Sequence, residues 1–214
     1  MSRIARRGRT LTITADDFGL SPLYDRGILV AAKAGAIDAA SVMVLRSPAQ
    51  IDDLLACGVG VGLHLERRGE EALTERDALA QIERFERLAG RPPDHLDGHH
   101  HCHTAGGVAG TVADLAAGLA IPVRSIDEPH RELLREAGAS TPDQLVGRYD
   151  ESQQVVPVEL AQPTPAAAWI EWMVHPGYPD PDSGSSYDHG RREDLEAVLS
   201  FRPDPDLLRT VPSS

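Results

Sequence analysis

A run of histidines in the middle of the chain is its most informative feature. Five of the nine histidines fall between His95 and His103, in the string His-Leu-Asp-Gly-His-His-His-Cys-His. Imidazole is the commonest metal-binding side chain, and it exchanges protons near neutral pH. An Asp16-Asp17 pair lies near the start of the chain, and His64 lies between that pair and the run. Together these residues are the parts of a mononuclear metal hydrolase.

The aspartate pair can supply both a metal ligand and a base. Adjacent side chains on an extended strand point to opposite faces. Asp16 and Asp17 can therefore share one site only where the strand ends, and Gly19 makes a turn plausible there. One carboxylate could then bind a metal while the other takes a proton from water. The alternative interpretation is a pair that only caps a helix or a turn.

Three further residues are candidates outside the run. His64 lies among apolar neighbours and is either a ligand or a hydrogen-bonded structural histidine. His175 precedes Pro176 at a predicted strand end, so it is a candidate general acid or else a loop histidine. Arg124 could bind a substrate carbonyl or orient Asp16, or it could form an ordinary salt bridge.

Within the run, only some histidines can be ligands. His99, His101 and His103 share a face if the segment is extended, and His100 then faces the other way. A metal site usually needs two or three histidines, a carboxylate and an open water position. An exposed histidine-rich loop is the alternative, whereas the absence of a cysteine pair at finger spacing argues against a zinc finger.

Strand and helix patterns alternate along the whole chain. Short β-branched or apolar runs predict strands near residues 11–14, 40–45, 59–63, 95–96, 121–126 and 170–174. Capping and periodicity signals predict helices over residues 21–35, 47–58, 74–90, 108–119 and 191–199, with a short one from 141. Residues 152–168 are predicted as loop, and residues 201–214 show no obvious final strand.

This alternation predicts an α/β fold with a mostly parallel sheet and outer helices. Six or seven strands are fewer than the eight of a full (β/α) barrel, so the strand count leaves a complete and an incomplete barrel as alternatives. Residues 1–214 are predicted to form a single domain. The candidate residues mostly follow strands, and sites of parallel α/β folds gather at the carboxyl ends of the strands.

Composition restricts the partners. The formal net charge of -12 argues against nucleic acid and anionic membranes, whose binding needs clustered lysine and arginine. No apolar run approaches the roughly 20 residues that span a bilayer. A neutral small molecule is therefore the expected ligand. Cys57 and Cys102 are expected to be reduced thiols in a cytoplasmic protein.

Four strings together resemble one known family. They are Thr-Ala-Asp-Asp-Phe-Gly at 14–19, Gly-Leu-His at 62–64, His-Leu-Asp-Gly-His-His-His at 95–101 and Val-His-Pro-Gly at 174–177. In this order they resemble the YdjC/ChbG carbohydrate deacetylases, which include chito-oligosaccharide deacetylases and a hopanoid-biosynthesis deacetylase. The resemblance runs from about Leu11 to Leu199. It implies a distorted α/β barrel and hydrolysis of an N-acetylated amino sugar to acetate and a free amine.

By motif position, the resemblance also implies roles for the candidate residues. Asp17, His64 and His99 would bind one divalent metal ion, Asp16 would be the general base, and His175 the general acid. The resemblance favours magnesium, whereas two imidazoles and a carboxylate suit zinc, cobalt or manganese. Arg124 is retained as the substrate-binding candidate because a cation there could stabilise the oxyanion.

The chain departs from typical relatives, and alternatives stay open. It is shorter, and the segment between Glu66 and Thr74 is brief where many members carry a longer loop. A short barrel with weak closure favours a homodimer. One alternative is an inactive sugar- or metal-binding member of the fold. Another is a metal phosphoesterase, although its His-x-His motif usually follows the first strand, where this chain carries Asp-Asp.

Overall fold

The computed structural model describes residues 9–46, 48–147, 167–203 and 207–212. The strands found there are β1 (Arg9–Phe18), β2 (Ala39–Val42), β3 (Gly60–Leu65), β4 (Leu96–Gly98), β5 (Gln144–Gly147), β6 (Trp169–Val174) and β7 (Leu207–Arg209). The helices are α1 (Pro22–Lys33), α2 (Ile51–Leu55), α3 (Glu75–Ala89), α4 (Val108–Leu119), α5 (Glu128–Glu136) and α6 (Arg191–Ser200).

The seven strands form one curled parallel sheet in the order β4-β3-β2-β1-β6-β5, with β7 also paired to β1. One edge of β1 pairs with β6, and its other edge pairs first with β7 and then with β2. Among the described residues no ladder joins β4 to β5, so the sheet is a half-barrel. The predicted α/β class with a distorted, incomplete barrel is confirmed.

The two faces of β1 show how the sheet divides core from site. Leu11, Ile13 and Ala15 belong to the apolar core that the outer helices cover. Thr12 and Thr14, equally buried, alternate with them and lie on the opposite face, where Asp16 follows. A parallel strand covered on both faces is expected to be buried throughout. Here the polar side chains line the inside of the half-barrel.

Local capping signals explain the helices that position the site. The side chain of Ser21 accepts the backbone N–H of Leu23 at the start of α1, with Pro22 as the first helical residue. Thr74 and Asp77 form a reciprocal capping box at the start of α3, which ends at the left-handed Gly90. In the described ranges, no helix combines the length and apolar character needed to cross a membrane.

Two predicted elements in the middle of the chain were wrong. Residues 121–126 form no strand, because Pro122 lacks a backbone N–H and Val123 makes only an isolated bridge to Leu96. Residues from Thr141 do not start a helix but lead into β5. The helix lies earlier, where the side chain of Asp127 accepts the backbone N–H of His130 and caps α5.

Other differences are smaller. β2 ends at Val42 and a 3-10 turn follows over Val44–Arg46, so the predicted strand 40–45 is cut short. α2 covers only part of the predicted helix 47–58. The short β7 supplies the final strand that was not expected after residue 201. Residues 152–166 of the predicted loop lie outside the described residues, and the single-domain prediction for 1–214 stays a prediction.

Candidate metal centre and active site

A backbone irregularity at the end of β1 brings both aspartates to one place. Asp17 has a φ of 72°, in the left-handed region that aspartate enters more readily than most residues. The β1–β2 register shifts between Ala15 and Phe18. Asp16 and Asp17 therefore escape the strict alternation of a strand. Each has a carboxylate oxygen within 4.8 Å of a ring nitrogen of His64.

The three residues suggested as ligands lie together. Asp17 Oδ1 is 3.2 Å from His64 Nε2 and 2.9 Å from His99 Nδ1. One ligand atom from each residue lies within 4.8 Å of the other two, which is close enough to share an ion. Asp17 and His64 are buried, whereas the side chain of His99 is 25% exposed. The cluster therefore opens to solvent beside His99, and its assignment as a ligand set stays a prediction.

Asp97 fixes the orientation of His64. The Nδ1–H of His64 donates to Asp97 Oδ1 at 2.8 Å, which leaves Nε2 facing Asp17. A carboxylate behind a histidine is the usual outer partner in metal sites. Burial alone would lower the pKa of His64, but the carboxylates of Asp97 and Asp16 outweigh it and hold that pKa well above its usual value. A cation at Nε2 would compete with that proton.

Arg191 holds the other oxygen of Asp17. Its Nη2–H donates to Asp17 Oδ2 at 2.5 Å, and its guanidinium stacks 3.6 Å from the centroid of the Tyr24 ring. Burial would raise the pKa of Asp17, but Arg191, His64 and His99 together hold it well below its usual value. Asp17 is therefore ionised, with Oδ2 occupied and Oδ1 turned to the histidines.

Arg124 lies below Asp16 and is almost fully buried. Its Nη1–H and Nη2–H donate to the two oxygens of Asp16 at 2.6 and 2.8 Å. It also donates to Glu171 at 2.8 Å and lies 3.0 Å from Asp97 Oδ2. This geometry corresponds to the orienting role that the sequence left open. The substrate-binding role stays a prediction, although the donors of Arg124 face three carboxylates here.

His175 lies at the end of β6 beside Asp16. Its Nε2 is 4.0 Å from Asp16 Oδ2, and its side chain is 18% exposed. Its backbone N–H donates to Asp194 Oδ2 at 2.9 Å, and its ring centroid is 5.0 Å from that of Tyr187. Burial lowers the pKa of His175. The ring is thus near the candidate base and reaches the mouth of the site.

The histidine run is not extended, so the expected alternation of its faces was wrong. Residues from His99 to Thr104 form 3-10 turns in which His100 and His101 have φ values of 49° and 52°. These two left-handed residues reverse the chain locally. His99 turns its Nδ1 to Asp17, His100 is exposed, and His101 and His103 are buried, with His103 Nε2 against the carbonyl of Arg124.

The charges around the cluster do not balance. Two buried guanidinium groups face four buried carboxylates in the contacts above, those of Asp16, Asp17, Asp97 and Glu171. With His64 neutral, as metal binding at Nε2 requires, these charges leave an excess of about two negative charges, which fits a divalent cation. Asp16, His64 and Asp97 also converge within 4.8 Å. A cation there would meet Arg124, which contacts both carboxylates, so the Asp17–His64–His99 group fits better.

Some residues of the site were missed in the sequence. Glu171 could have been found, because it interrupts an apolar strand at Ile170-Glu171-Trp172. Asp97 stands inside the histidine string but was given no role. Arg191 carries no local signal, since it contacts Asp17 across 174 positions.

The chain is similar to proteins of one known family. The profile of the family described as YdjC-like protein matches residues 10–72 and 66–203. A carbohydrate deacetylase of Geobacillus stearothermophilus is 31% identical over 94% of this chain and 91% of the relative. A chitooligosaccharide deacetylase of Serratia marcescens is 29% identical over 90% and 91% of the two chains.

The fold has solved counterparts as well. A structure from Enterococcus faecalis, described as a candidate cellobiose-phosphate cleavage protein, has a TM-score of 0.71 at 22% identity, covering 90% of this chain and 91% of its own. A lactam utilization protein of Thermus thermophilus has a TM-score of 0.55 at 14% identity, covering 94% and 99%. These two likenesses concern the fold. On the family match and the identity to the Geobacillus protein, this chain belongs to the YdjC-like family.

Proposed function

We propose that this protein is a metal-dependent carbohydrate N-deacetylase. It hydrolyses the acetamide of an N-acetylated amino sugar or related glycoside and releases acetate and a free amine. The observation that carries the proposal is the convergence of Asp17, His64 and His99 within 4.8 Å, beside an Asp16 that Arg124 holds from below. The family supports the reaction, since curated relatives are named carbohydrate and chitooligosaccharide deacetylases.

The donor set fits one divalent metal ion. Asp17 Oδ1, His64 Nε2 and His99 Nδ1 would hold it, with Asp97 and Arg191 fixing the first two ligands. When bound, such an ion polarises a carbonyl and lowers the pKa of water. Two imidazoles and one carboxylate suit zinc, cobalt or manganese, while the family resemblance favours magnesium. Elemental analysis of the purified protein decides between them.

The protein's own residues handle the protons. Asp16 takes a proton from water, and the two hydrogen bonds from Arg124 keep its carboxylate in one orientation. Each oxygen retains a second lone pair for that proton. His175, whose Nε2 lies 4.0 Å from Asp16 Oδ2, receives that proton and passes it to the departing nitrogen, because its lowered pKa leaves the ring neutral beforehand. Positioned acid–base groups of this kind typically contribute about 10²–10⁴-fold.

The surroundings of the site suggest its ligand and setting. The excess of buried carboxylates in the site disfavours an anionic ligand, and the net charge of the chain is -12, so a neutral sugar is the proposed substrate. A cytoplasmic location and a homodimer are proposed on the sequence grounds given above. Size-exclusion chromatography with light scattering tests the subunit number.

An acetate-release screen tests the activity. The metal-reconstituted protein is assayed on N-acetylated mono- and disaccharides, with and without chelator. Acetate that appears with metal and disappears with chelator is the expected result. Full metal occupancy with no acetate from any substrate would indicate a binding protein instead. Release of nitrophenol from p-nitrophenyl phosphate would indicate a phosphoesterase.

A further inference from the structure

Asp97 is a fully buried carboxylate whose two oxygens bond different parts of the site. Oδ1 accepts the Nδ1–H of His64 at 2.8 Å. Oδ2 accepts the hydroxyl proton of Ser41 at 2.6 Å and lies 3.0 Å from Arg124 Nη2. A rotation of this carboxylate would therefore disturb the candidate metal ligand and the arginine that orients Asp16 at the same time.

Ser41 stands at the centre of a directed hydrogen-bond chain. A hydroxyl has one proton to donate, and the short contact to Asp97 uses it. The 2.9 Å contact between Ser41 Oγ and His95 Nε2 must then have His95 as the donor. His95 Nε2 itself is 4.0 Å from Asp97 Oδ2, too far for a direct bond, so Ser41 bridges the two.

The backbone of β3 is shaped to hold the ring of His95. A Cβ atom at Gly62 would lie 2.3–2.4 Å from three ring atoms of His95, so any side chain there would displace the imidazole. Ser41 pairs in register with Gly62, and His64 pairs in register with Asp97. The Ser41–Gly62 pair therefore lies two residues before the His64–Asp97 pair along β3.

We propose that Ser41 and His95 are a positioning pair that fixes Asp97 and, through it, the metal-facing nitrogen of His64. The inference rests on the proposed function where it concerns the metal. The pair acts through Asp97: the Ser41 hydroxyl, the Asp97 carboxylate and the His64 ring follow one another with hydrogen bonds of 2.6 and 2.8 Å. A pair that served folding alone would affect stability and leave metal binding unchanged.

Four variants separate these two roles. Ser41→Ala removes the bridge, His95→Leu removes the donor, and His95→Gln keeps an amide N–H near the position of Nε2. Ser125→Ala is the matched control, because Ser125 is equally buried and donates to the carbonyl of Pro142 at 3.1 Å, outside the chain of contacts. Unfolding temperature of the metal-free protein and zinc affinity by calorimetry are measured for each.

We expect Ser41→Ala and His95→Leu to weaken zinc binding by about tenfold, in the range known for outer partners of ligating histidines. We expect His95→Gln to restore most of the affinity. Ser125→Ala is expected to lower the unfolding temperature and leave zinc affinity unchanged. Equal zinc affinities for Ser41→Ala and Ser125→Ala would overturn the proposal.

NMR of the histidine rings in the metal-free protein tests the hydrogen-bond chain independently of activity. Nitrogen-15 histidine spectra are expected to show the proton of His95 on Nε2 and a proton of His64 on Nδ1, with the His64 signal shifted in Ser41→Ala. A His95 ring protonated only on Nδ1 would refute the directed chain whatever the enzyme does. If the wild-type protein binds no zinc and releases no acetate while these spectra hold, the proposed function fails and the hydrogen-bond chain stands.

Discussion

Arg124 donates two hydrogen bonds to the two carboxylate oxygens of Asp16, at 2.6 and 2.8 Å. Such a fork needs the planar guanidinium, because an ammonium group cannot contact both oxygens in this geometry. The same guanidinium donates to Glu171 and lies near Asp97. The buried guanidinium of Arg124 thus orients the candidate base and also offsets the negative charges of Glu171 and Asp97 on the neighbouring strands.

Replacing Arg124 separates its orienting role from its charge. Arg124→Lys keeps a positive charge without the fork, and we expect kcat to fall by about 10²-fold with little change in KM, as for loss of a positioned base. Arg124→Met removes the guanidinium that three buried carboxylates share and should lower the free energy of unfolding by about 3–5 kcal/mol.

Urea unfolding and acetate release measure the two effects. Arg135→Met is the control, because Arg135 is half exposed and pairs with Asp143 at the surface, where such a pair contributes about 0–1 kcal/mol. Equal free energies of unfolding for Arg124→Met and Arg135→Met would show that the buried charge of Arg124 does not stabilise the fold.

Asp16→Asn tests the base. The amide has nearly the shape of the carboxylate but cannot take a proton, so we expect a loss of about 10²–10⁴-fold in kcat with metal content retained. Glu171→Gln is the matched control, since it also removes a negative charge from Arg124 but lies outside the candidate ligand groups. Near-normal rates in Asp16→Asn would show that the base is another group.

His99→Ala tests the ligand set at its most accessible member. We expect metal content after dialysis, measured by elemental analysis, to drop strongly. His100→Ala is the neighbouring control, because its exposed ring lies beside His99 at a centroid distance of 4.1 Å and is not one of the three candidate ligands. Metal that persists in a His64→Ala/His99→Ala double variant would contradict the assignment.

The sequence predicted the site better than it predicted the elements between its parts. Asp16 and His64 lie near the carboxyl ends of β1 and β3, and His175 directly follows β6. Parallel strands necessarily bring their carboxyl ends together. The pairing of Asp17 with Arg191 could not be predicted, because it depends on how α6 packs against the sheet. The left-handed turn at His100 could not be predicted either, because such a turn usually contains a glycine and this one does not.

Errors in the elements arose where local signals compete. Residues 121–126 resemble a strand because three of the six are β-branched, but Pro122 and the turn after the segment leave only one bridge, between Val123 and Leu96. At Thr141-Pro142 the helix-start signal was overridden by pairing of β5 with β6. Pairing with neighbouring strands determines the secondary structure of such short segments. The strongly periodic and well-capped α3 was predictable from its own residues.

Buried histidines should make the fold sensitive to acid. Burial lowers the pKa of His103 to about 3, and His103 is fully buried with its Nε2–H donating to the carbonyl of Arg124. In the unfolded chain a histidine has a pKa near 6.5. Between about pH 6.5 and pH 3 the unfolded state therefore binds one more proton at this residue, and stability falls as the pH falls, by about 1.4 kcal/mol per pH unit.

His103→Gln keeps a donor for the carbonyl and removes the titration. We therefore expect the dependence of the unfolding free energy on pH to become shallower by about 1.4 kcal/mol per unit between pH 6 and pH 4. Urea unfolding at several pH values measures this slope. The protein is first treated with chelator, so that pH-dependent metal binding does not contribute to it. His189→Gln, at an exposed position, should leave the slope unchanged. The same slope in His103→Gln and wild type would contradict the lowered pKa, because it would mean that His103 binds its proton equally well in the folded and unfolded states.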